Sequence, residues 1–268
     1  MSGGREEKLE TEHGATVIEA GDESLQPAAV FHIIKDLIGF VLYMHQQIPS
    51  CVQDLINEFE TMQAEKLEME SERGNNELLP RERRRRMMEL REYKQNIRKL
   101  EKLMHSYADL ENALRLVISQ TPWIETVALA LGSSPIRPYC VYDLSLSRCS
   151  NPLENSLNDF AKSKPAELLS RKVIRTLISC GAGTSSYPGA WKLFLFVKAP
   201  STLDLPHHFL PKREFKFCKK IVPFKLLLKS RIQDMNFDSP TDENSSKLIW
   251  FQCRHVVTGL ASNDPIED

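Results

Sequence analysis

Two adjacent histidines and a nearby cysteine are the residues of this 268-residue chain that most resemble a metal site. His207 and His208 lie shortly before Cys218. Adjacent histidines on a strand or loop point in opposite directions, and no carboxylate occupies a ligand-like spacing beside them. We therefore expect a surface pair of histidines, with neither a metal nor a cofactor.

Motifs for hydrolysis or phosphate binding are not found in the sequence. It contains no G-x-S-x-G, no H-E-x-x-H and no catalytic cysteine–histidine pattern. The glycine-rich stretch GAGTSSYPG at residues 181–189 lacks the Lys-Ser/Thr of a phosphate-binding loop and follows a helix instead of a strand. The six cysteines are scattered singly, which favours free thiols in a reducing compartment. The sequence predicts that the protein is not an enzyme.

A run of arginines, RERRRR, occupies residues 81–86. Such a run is typical either of a nuclear-import signal or of the solvated start of a helix. Neither interleaved aromatic residues nor a zinc spacing accompanies it, so stacked bases would have no platform. We expect no direct binding to nucleic acid.

The composition predicts one domain with polar ends. With 41% hydrophobic residues the chain can bury a core, and its net charge is only −1. Residues 1–24 are acidic and predicted to be a disordered tail, whose apolar stretch ATVIEA is a candidate docking peptide. The domain spans residues 25–260, with a flexible charged connection at 63–82, and residues 261–268 form a second disordered end. The longest apolar run is far shorter than the ~20 residues that cross a bilayer, so no membrane association is expected.

Hydrophobic spacing predicts three main helices and a shorter one. The first main helix begins near Pro27 and ends at QQIPS, the second runs from about Arg83 to Gln120, and the third covers 165–180. The shorter helix lies at about Cys51–Met62. The long helix repeats its apolar residues at helical spacing, but the repeat slips by one residue after Tyr107, which argues against an extended coiled coil. A helix crossing one face of a sheet fits better.

Strands dominate the second half of the chain. ETVALALGSSPIRPYCVYDLSLS predicts a hairpin, AWKLFLFVKAP a strand, and REFKFCKKIVPFKLLLKSR further strand with a bend at Pro223. The last strand, in SSKLIWFQCRHVVTGL, must return to the body of the fold, because an unpaired strand edge is costly. Helices come first and no βαβ alternation occurs, so we predict an α+β fold with an antiparallel-rich sheet.

The helix at 165–180 has apolar residues on two sides. Leu169, Val173, Leu177 and Cys180 form one stripe within an arc of roughly 80°, which we expect to face the core. Ile174 and Ile178 lie outside this stripe, flanked by two arginines. Two explanations stand: a loop of the same chain covers them, or they form an apolar patch rimmed by Arg171 and Arg175 that binds another protein.

The order of the elements resembles that of HORMA domains. Three stretches further resemble the comet family, HORMA-like proteins that silence the spindle checkpoint: LYMHQQIP at Leu42–Pro49, YDLSL at Tyr142–Leu146 and KLIWFQ at Lys247–Gln252. RKVIRTLIS and LPKREF follow in the expected order between the second and third stretches. Together these stretches span about residues 25–260.

The resemblance implies a non-catalytic adaptor that is itself HORMA-like. It would bind the closed conformer of a mitotic-arrest-deficient HORMA checkpoint protein, the client, and present it to a hexameric AAA+ ATPase of the Pch-two type. That ATPase supplies the energy for remodelling. The family implies a location in the nucleus, at chromosomes and kinetochores, and in the cytoplasm.

The resemblance also implies which residues make contacts. Met44 takes the position of a family Gln that touches the client, and Ile174 takes that of a Phe; Arg171, Arg175 and Ile178 lie beside it. Pro211 and Lys212 match the family's ATPase contact by identity. The closing C-terminal strand contains Leu248, Ile249, Trp250 and Phe251, and it would fill the place where other HORMA proteins trap a partner peptide.

Two alternatives remain open at this point. The RERRRR run and the charged connection depart from the family pattern, which suggests a distant branch whose client is a meiotic chromosome-axis HORMA protein. A different class of function is a nuclear coiled-coil or nucleic-acid-associated scaffold built on the helix 83–120.

Overall fold

Four helices and one mixed β-sheet form the part of the protein that the computed structural model describes. The described residues are 11–12, 14–20, 26–71, 80–121, 123–147, 163–184, 189–230 and 247–260. The expected disordered C-terminal end, 261–268, lies outside them. The helices are α1 (Pro27–Met44), α2 (Val52–Ser71), α3 (Pro80–Gln120) and α4 (Lys164–Ser179). The strands are β1 (Thr11–Glu12), β2 (Ala15–Ala20), β3 (Thr126–Gly132), β4 (Cys140–Leu146), β5 (Lys192–Pro200), β6 (Phe209–Lys212), β7 (Phe224–Ser230), β8 (Leu248–Cys253) and β9 (Val257–Thr258).

The strands follow the order β1-β2-β7-β4-β3-β5-β8-β6, with β9 paired to β5. Only β7 makes parallel pairs, with β2 and with β4, and the other pairings in the described sheet are antiparallel. The predicted α+β class is therefore confirmed, and so is the predicted hairpin, which is β3 and β4. The sheet is mixed, with most of its pairs antiparallel.

Helix α1 is the central helix of the core. Pro27 lies in the first turn of α1. Backbone N–H groups there have no acceptor within the helix, so the missing N–H of proline costs no hydrogen bond. Nine of its residues are buried, and they occupy several sides of the helix. By length and composition alone α1 could cross a membrane, but half of its apolar window is buried inside this fold.

Helices α2 and α3 pack against each other. Tyr93 on α3 donates a hydrogen bond to a carboxylate oxygen of Glu65 on α2. The Nζ atom of Lys94 on α3 lies 2.6 Å from Oε1 of Glu70 on α2, which forms an ion pair. Helix α2 thus continues to Ser71, so the flexible connection expected at 63–82 is wrong for 63–71 and 80–82; residues 72–79 lie outside the described chain. The charged residues of 63–71 form the solvated side of a helix that packs on α3. The apolar stripe that the sequence predicts on α3 is buried in the core along the C-terminal half of the helix. It includes Leu100, Leu110, Leu114 and Val117.

The N-terminal segment is part of the sheet. The stretch ATVIEA forms β2, which pairs in parallel with β7, and Ile18 and Ala20 are buried. The expectation of a disordered tail over 1–24 is therefore wrong for residues 11–12, which form β1, and for residues 15–20, because alternate apolar side chains of β2 are buried in the main core. Residues 1–10 and 21–25 lie outside the described chain.

A second, smaller apolar cluster covers the other face of the sheet. Phe196 on β5 stacks on Phe215 at 4.4 Å between ring centroids, and Phe217 and Trp250 complete the aromatic group. The segment expected as strand before Pro223 is thus mostly a loop, because its phenylalanines fold over the sheet instead of pairing with it. Strand β7 begins directly after Pro223, where the bend was predicted.

Replacing Ile18 tests whether the N-terminal strand belongs to the stable fold. Ile18→Ala removes a side chain that is 1% exposed, so we expect a loss of about 2–5 kcal/mol in the free energy of unfolding, measured by urea denaturation. Val17→Ala, on the opposite and more exposed face of β2, is the control and should cost much less. Equal stability of the Ile18 variant and the wild type would show that β2 is not held in the sheet.

Candidate protein-interaction site

Helix α4 begins and ends where the sequence predicts. The Ser163 hydroxyl caps its start by accepting a hydrogen bond from the N–H of Ala166 at 3.3 Å. Pro165 and Glu167 occupy the first turn, where a fixed φ and a negative charge are favoured. Gly181, at φ +83°, allows the chain to leave the helix in the left-handed conformation.

The buried side of α4 differs from the predicted stripe. Val173 and Leu177 are buried as expected, but Leu169 is only half-buried and Cys180 is exposed at the end of the helix. Small or polar residues complete the buried side instead: Ala166, Ser170 and Thr176. These short side chains let α4 approach α1 closely, which the apolar pattern alone does not predict.

A partly buried hydrogen bond joins α4 to α1. The Ser170 hydroxyl donates to Oδ2 of Asp36 at 2.6 Å. Further along, Gly183 lies against Met44, because a Cβ built on this glycine would be 2.6 Å from the Met44 Cε atom. Asp36 precedes Met44 on α1, and Ser170 precedes Gly183, which lies in the turn after α4. The two helices therefore run in the same direction, with their C-terminal ends near each other.

The two isoleucines lie on the flank of α4 that borders α1. At about 100° per residue, Ile174 is about 40° and Ile178 about 80° around the helix from Ser170. Ile178 is 50% exposed, so the described part of the chain does not cover it, whereas Ile174 is half-buried. Within the described residues, Ile174 is therefore partly covered by the protein itself and Ile178 remains half exposed.

Tyr43 is a residue of this surface that sequence reasoning missed. It is 50% exposed and lies seven residues after Asp36, which places it about 20° from that contact on the same side of α1. Met44 beside it is half-buried by Gly183. The seven-residue spacing between Asp36 and Tyr43 places both on one side of α1. That spacing becomes informative only once the structure shows that Asp36 contacts α4.

Two arginines border these apolar side chains. Arg171 forms an ion pair with Glu167 one turn earlier at 2.5 Å, and Arg175 is exposed. We call the group Tyr43, Met44, Ile174, Ile178, Arg171 and Arg175 the α1–α4 surface. Its exposed apolar side chains with a charged rim have the composition of a protein-binding surface.

The sequence stretches that carry the resemblance meet in the structure. His45, from LYMHQQIP, is buried, and its Nε2 atom is 2.8 Å from the hydroxyl of Tyr142, from YDLSL. Burial raises the pKa of Tyr142, so its hydroxyl stays protonated. Gln47, from the first stretch, is also buried and bonds to the segment that follows KLIWFQ. These polar residues hold the end of α1 against the sheet.

The C-terminal strand returns to the fold. Strand β8 lies between β5 and β6 and pairs antiparallel with both. Ile249 and Phe251 are buried in the main core, while Trp250 packs on the aromatic cluster of the other face and Leu248 is half-buried. The predicted return of the chain end is therefore confirmed.

Pro211 and Lys212 lie on β6, the edge strand of the described sheet. Both are exposed, and they stand opposite Phe251 and Trp250 of β8. A proline lacks an N–H and blunts an edge against non-specific strand pairing. Exposed Arg213, Lys216, Lys219 and Lys220 follow in the adjoining loop.

The adjacent histidines and the RERRRR run are the other candidate motifs in the described residues. No group of three or more His, Cys, Asp or Glu residues there is arranged to hold a metal ion. His208 is half-buried, with its Nδ1 atom 2.9 Å from Nε2 of His255, while His207 is exposed. The arginines of the RERRRR run are exposed on the first turns of α3.

Comparison with known proteins adds no family assignment. No protein-family profile matches the chain, and no curated protein matches it.

Removing the hydroxyl of Ser170 tests how α4 is positioned. Ser170→Ala leaves a half-buried Asp36 oxygen without this partner, so we expect a loss of about 1–3 kcal/mol in unfolding free energy. Ser179→Ala is the matched control, since Ser179 is exposed and bonds only within its own helix. A loss no larger than that of the control would show that this bond does not hold α4 in place.

Proposed function

We propose that this protein is a non-catalytic adaptor with a HORMA-like fold, which binds the closed conformer of a HORMA client and presents it to a Pch-two type AAA+ ATPase. Its effect would be to silence the spindle checkpoint or to act on meiotic chromosome-axis HORMA proteins. The observation that carries the proposal is the α1–α4 surface, with Ile178 and Tyr43 half exposed at the joined ends of two helices.

The α1–α4 surface supplies the chemistry that client recognition needs. Fully burying an isoleucine or a comparable side chain contributes about 1.5–3 kcal/mol. Two half-exposed side chains with their neighbours therefore add a few kcal/mol before the cost of association. Arg171 and Arg175 would select a partner with acceptor groups at the rim.

The place of β8 supports an adaptor that does not itself trap a peptide. In HORMA proteins a partner peptide pairs with the sheet, and in this chain the edge of β5 is already taken by the protein's own C-terminal strand. The sheet would then not need to open for a partner to bind. The α1–α4 surface and the β6 edge would both be accessible in this closed arrangement.

The α4 side of the proposed client site is well separated from the β6 edge. Helix α4 contacts β2, since Lys172 donates to the carbonyl of Glu19 at 3.4 Å, whereas Pro211 and Lys212 are on β6. Strands β2 and β6 are separated by six strand spacings in the sheet order, which is about 29 Å at about 4.8 Å each. A client on α4 would leave the β6 edge accessible, as an adaptor requires.

The client contact is tested by changing the exposed isoleucine. Ile178→Arg places a charge where an apolar side chain would be buried, so we expect affinity for a client locked in its closed conformer to fall at least ~30-fold by calorimetry. Because Ile178 is half exposed, the unfolding midpoint should not change. Leu168→Arg, at an exposed position near the start of the same helix, is the control and should bind normally. Undiminished binding by the Ile178 variant would refute the proposed surface.

The ATPase contact is tested by changing Pro211 and Lys212 on the β6 edge. A Pro211→Ala, Lys212→Ala double variant should bind the client normally and lose most stimulation of ATPase-driven remodelling. Lys219→Ala with Lys220→Ala, in the neighbouring basic loop, controls for a general loss of positive charge. Full remodelling by the β6 variant would show that this edge is not the ATPase contact.

A further inference from the structure

Gln47 is a buried polar residue at the junction of three segments. It follows the end of α1 and is 0% exposed. Its Nε2 donates to the carbonyls of His45 at 2.8 Å and Gly189 at 3.3 Å. Its Oε1 accepts from the N–H of Trp191, just before β5, at 2.6 Å. One side chain thus joins the end of α1 to the start of β5.

The backbone of Gln47 holds the end of the described chain. Its carbonyl accepts from the N–H of Leu260 at 2.8 Å, and the N–H of Gly259 donates to the carbonyl of Trp191 at 2.8 Å. These bonds begin directly after β9, which pairs with β5 at Leu193. The C-terminal segment is therefore fastened at its far end as well as along β8.

Gly259 is required by the close approach of Gln47. A Cβ on Gly259 would lie 2.3 Å from Oε1 of Gln47 and 2.8 Å from its Cβ. Real atoms do not approach so closely, and Oε1 is held by the N–H of Trp191, so it has little freedom to move. The position tolerates glycine and no larger residue while the Gln47 side chain keeps its bonds.

The fastening also affects the β6 edge. Strand β6 has β8 as its only neighbour in the described sheet. If β9 and the residues after it come loose, β8 is held by its ladders alone, and movement of β8 removes the support of Pro211 and Lys212.

We propose that Gln47, with Gly259, is a latch that holds the C-terminal segment in the sheet and thereby positions the β6 edge for its ATPase partner. The partner in this statement rests on the proposed function, but the latch itself is a property of the isolated chain. Gln47 acts as a positioning residue, since it touches neither proposed partner site.

Hydrogen exchange of the isolated protein tests the latch. Gln47→Ala leaves the N–H of Trp191 without its acceptor, so exchange of the β8 and β9 amides should accelerate at least about tenfold, while the central strand β3 keeps wild-type rates. Gln53→Ala, an exposed glutamine on α2, is the control. Equal acceleration in β3 and β8 would mean global destabilisation only, and unchanged rates in β8 would mean no latch; either result overturns the proposal.

A double-mutant cycle separates the latch from general damage. Gly259→Ala alone should also accelerate exchange in β8 and β9, because its new methyl group meets Oε1 of Gln47. In the Gln47→Ala, Gly259→Ala variant the clashes with Oε1 and Cδ are absent and only the 2.8 Å approach to the Cβ of residue 47 remains, so the combined acceleration should be less than the product of the two single effects. Purely multiplicative effects would overturn the proposed contact. No partner is present in these experiments, so their outcome is independent of whether the client and ATPase assignments hold.

Discussion

The pairing of β8 with β5 is the constraint on which the rest of the structure depends. This pairing places β8, a strand from late in the chain, next to β5. Strand β6 then pairs with the other side of β8. Without it, β5 would expose an edge and the Pro211–Lys212 strand would have no neighbour in the described sheet. The buried bonds of Gln47 and His45 then fix the end of α1 to the same region, so the helix layer and the closing segment hold each other in position.

The two faces of the molecule follow from this arrangement. The helices cover one face of the sheet, and α4 lies beside α1 with a short, polar contact at Ser170 and Asp36 that brings the two backbones close. Close packing of the helices leaves larger side chains, Ile178 and Tyr43, at the outer border of the contact. The exposed apolar surface is thus a consequence of how the helices meet, and its α4 side contacts β2, which lies six strand spacings from β6. That separation is the physical basis for proposing an adaptor with two partner sites.

Much of the fold was accessible from sequence because it rests on periodic burial. Helices α1, α3 and α4 and the β3–β4 hairpin have strong apolar repeats and clear boundaries at Pro27, Pro165 and Gly181. The N-terminal strand is not predicted because six residues in an acidic context give little periodic signal, and its order depends on pairing with β7 and β1. The segment before Pro223 is predicted as strand, yet its phenylalanines cover a face of the sheet. For the candidate site, Ile178 was predicted from helical geometry, whereas Tyr43 and the buried role of Gln47 depend on contacts between distant segments.

The central claim is that one chain carries two separate partner sites, one on the α1–α4 surface and one at the β6 edge. It is tested most directly by light scattering on a mixture of the protein, a client locked in the closed conformer, and the ATPase with a non-hydrolysable nucleotide. The account predicts a ternary complex, in which the client reaches the ATPase only when the adaptor is present. Competition between client and ATPase for the protein, with two binary complexes and no ternary one, would contradict it.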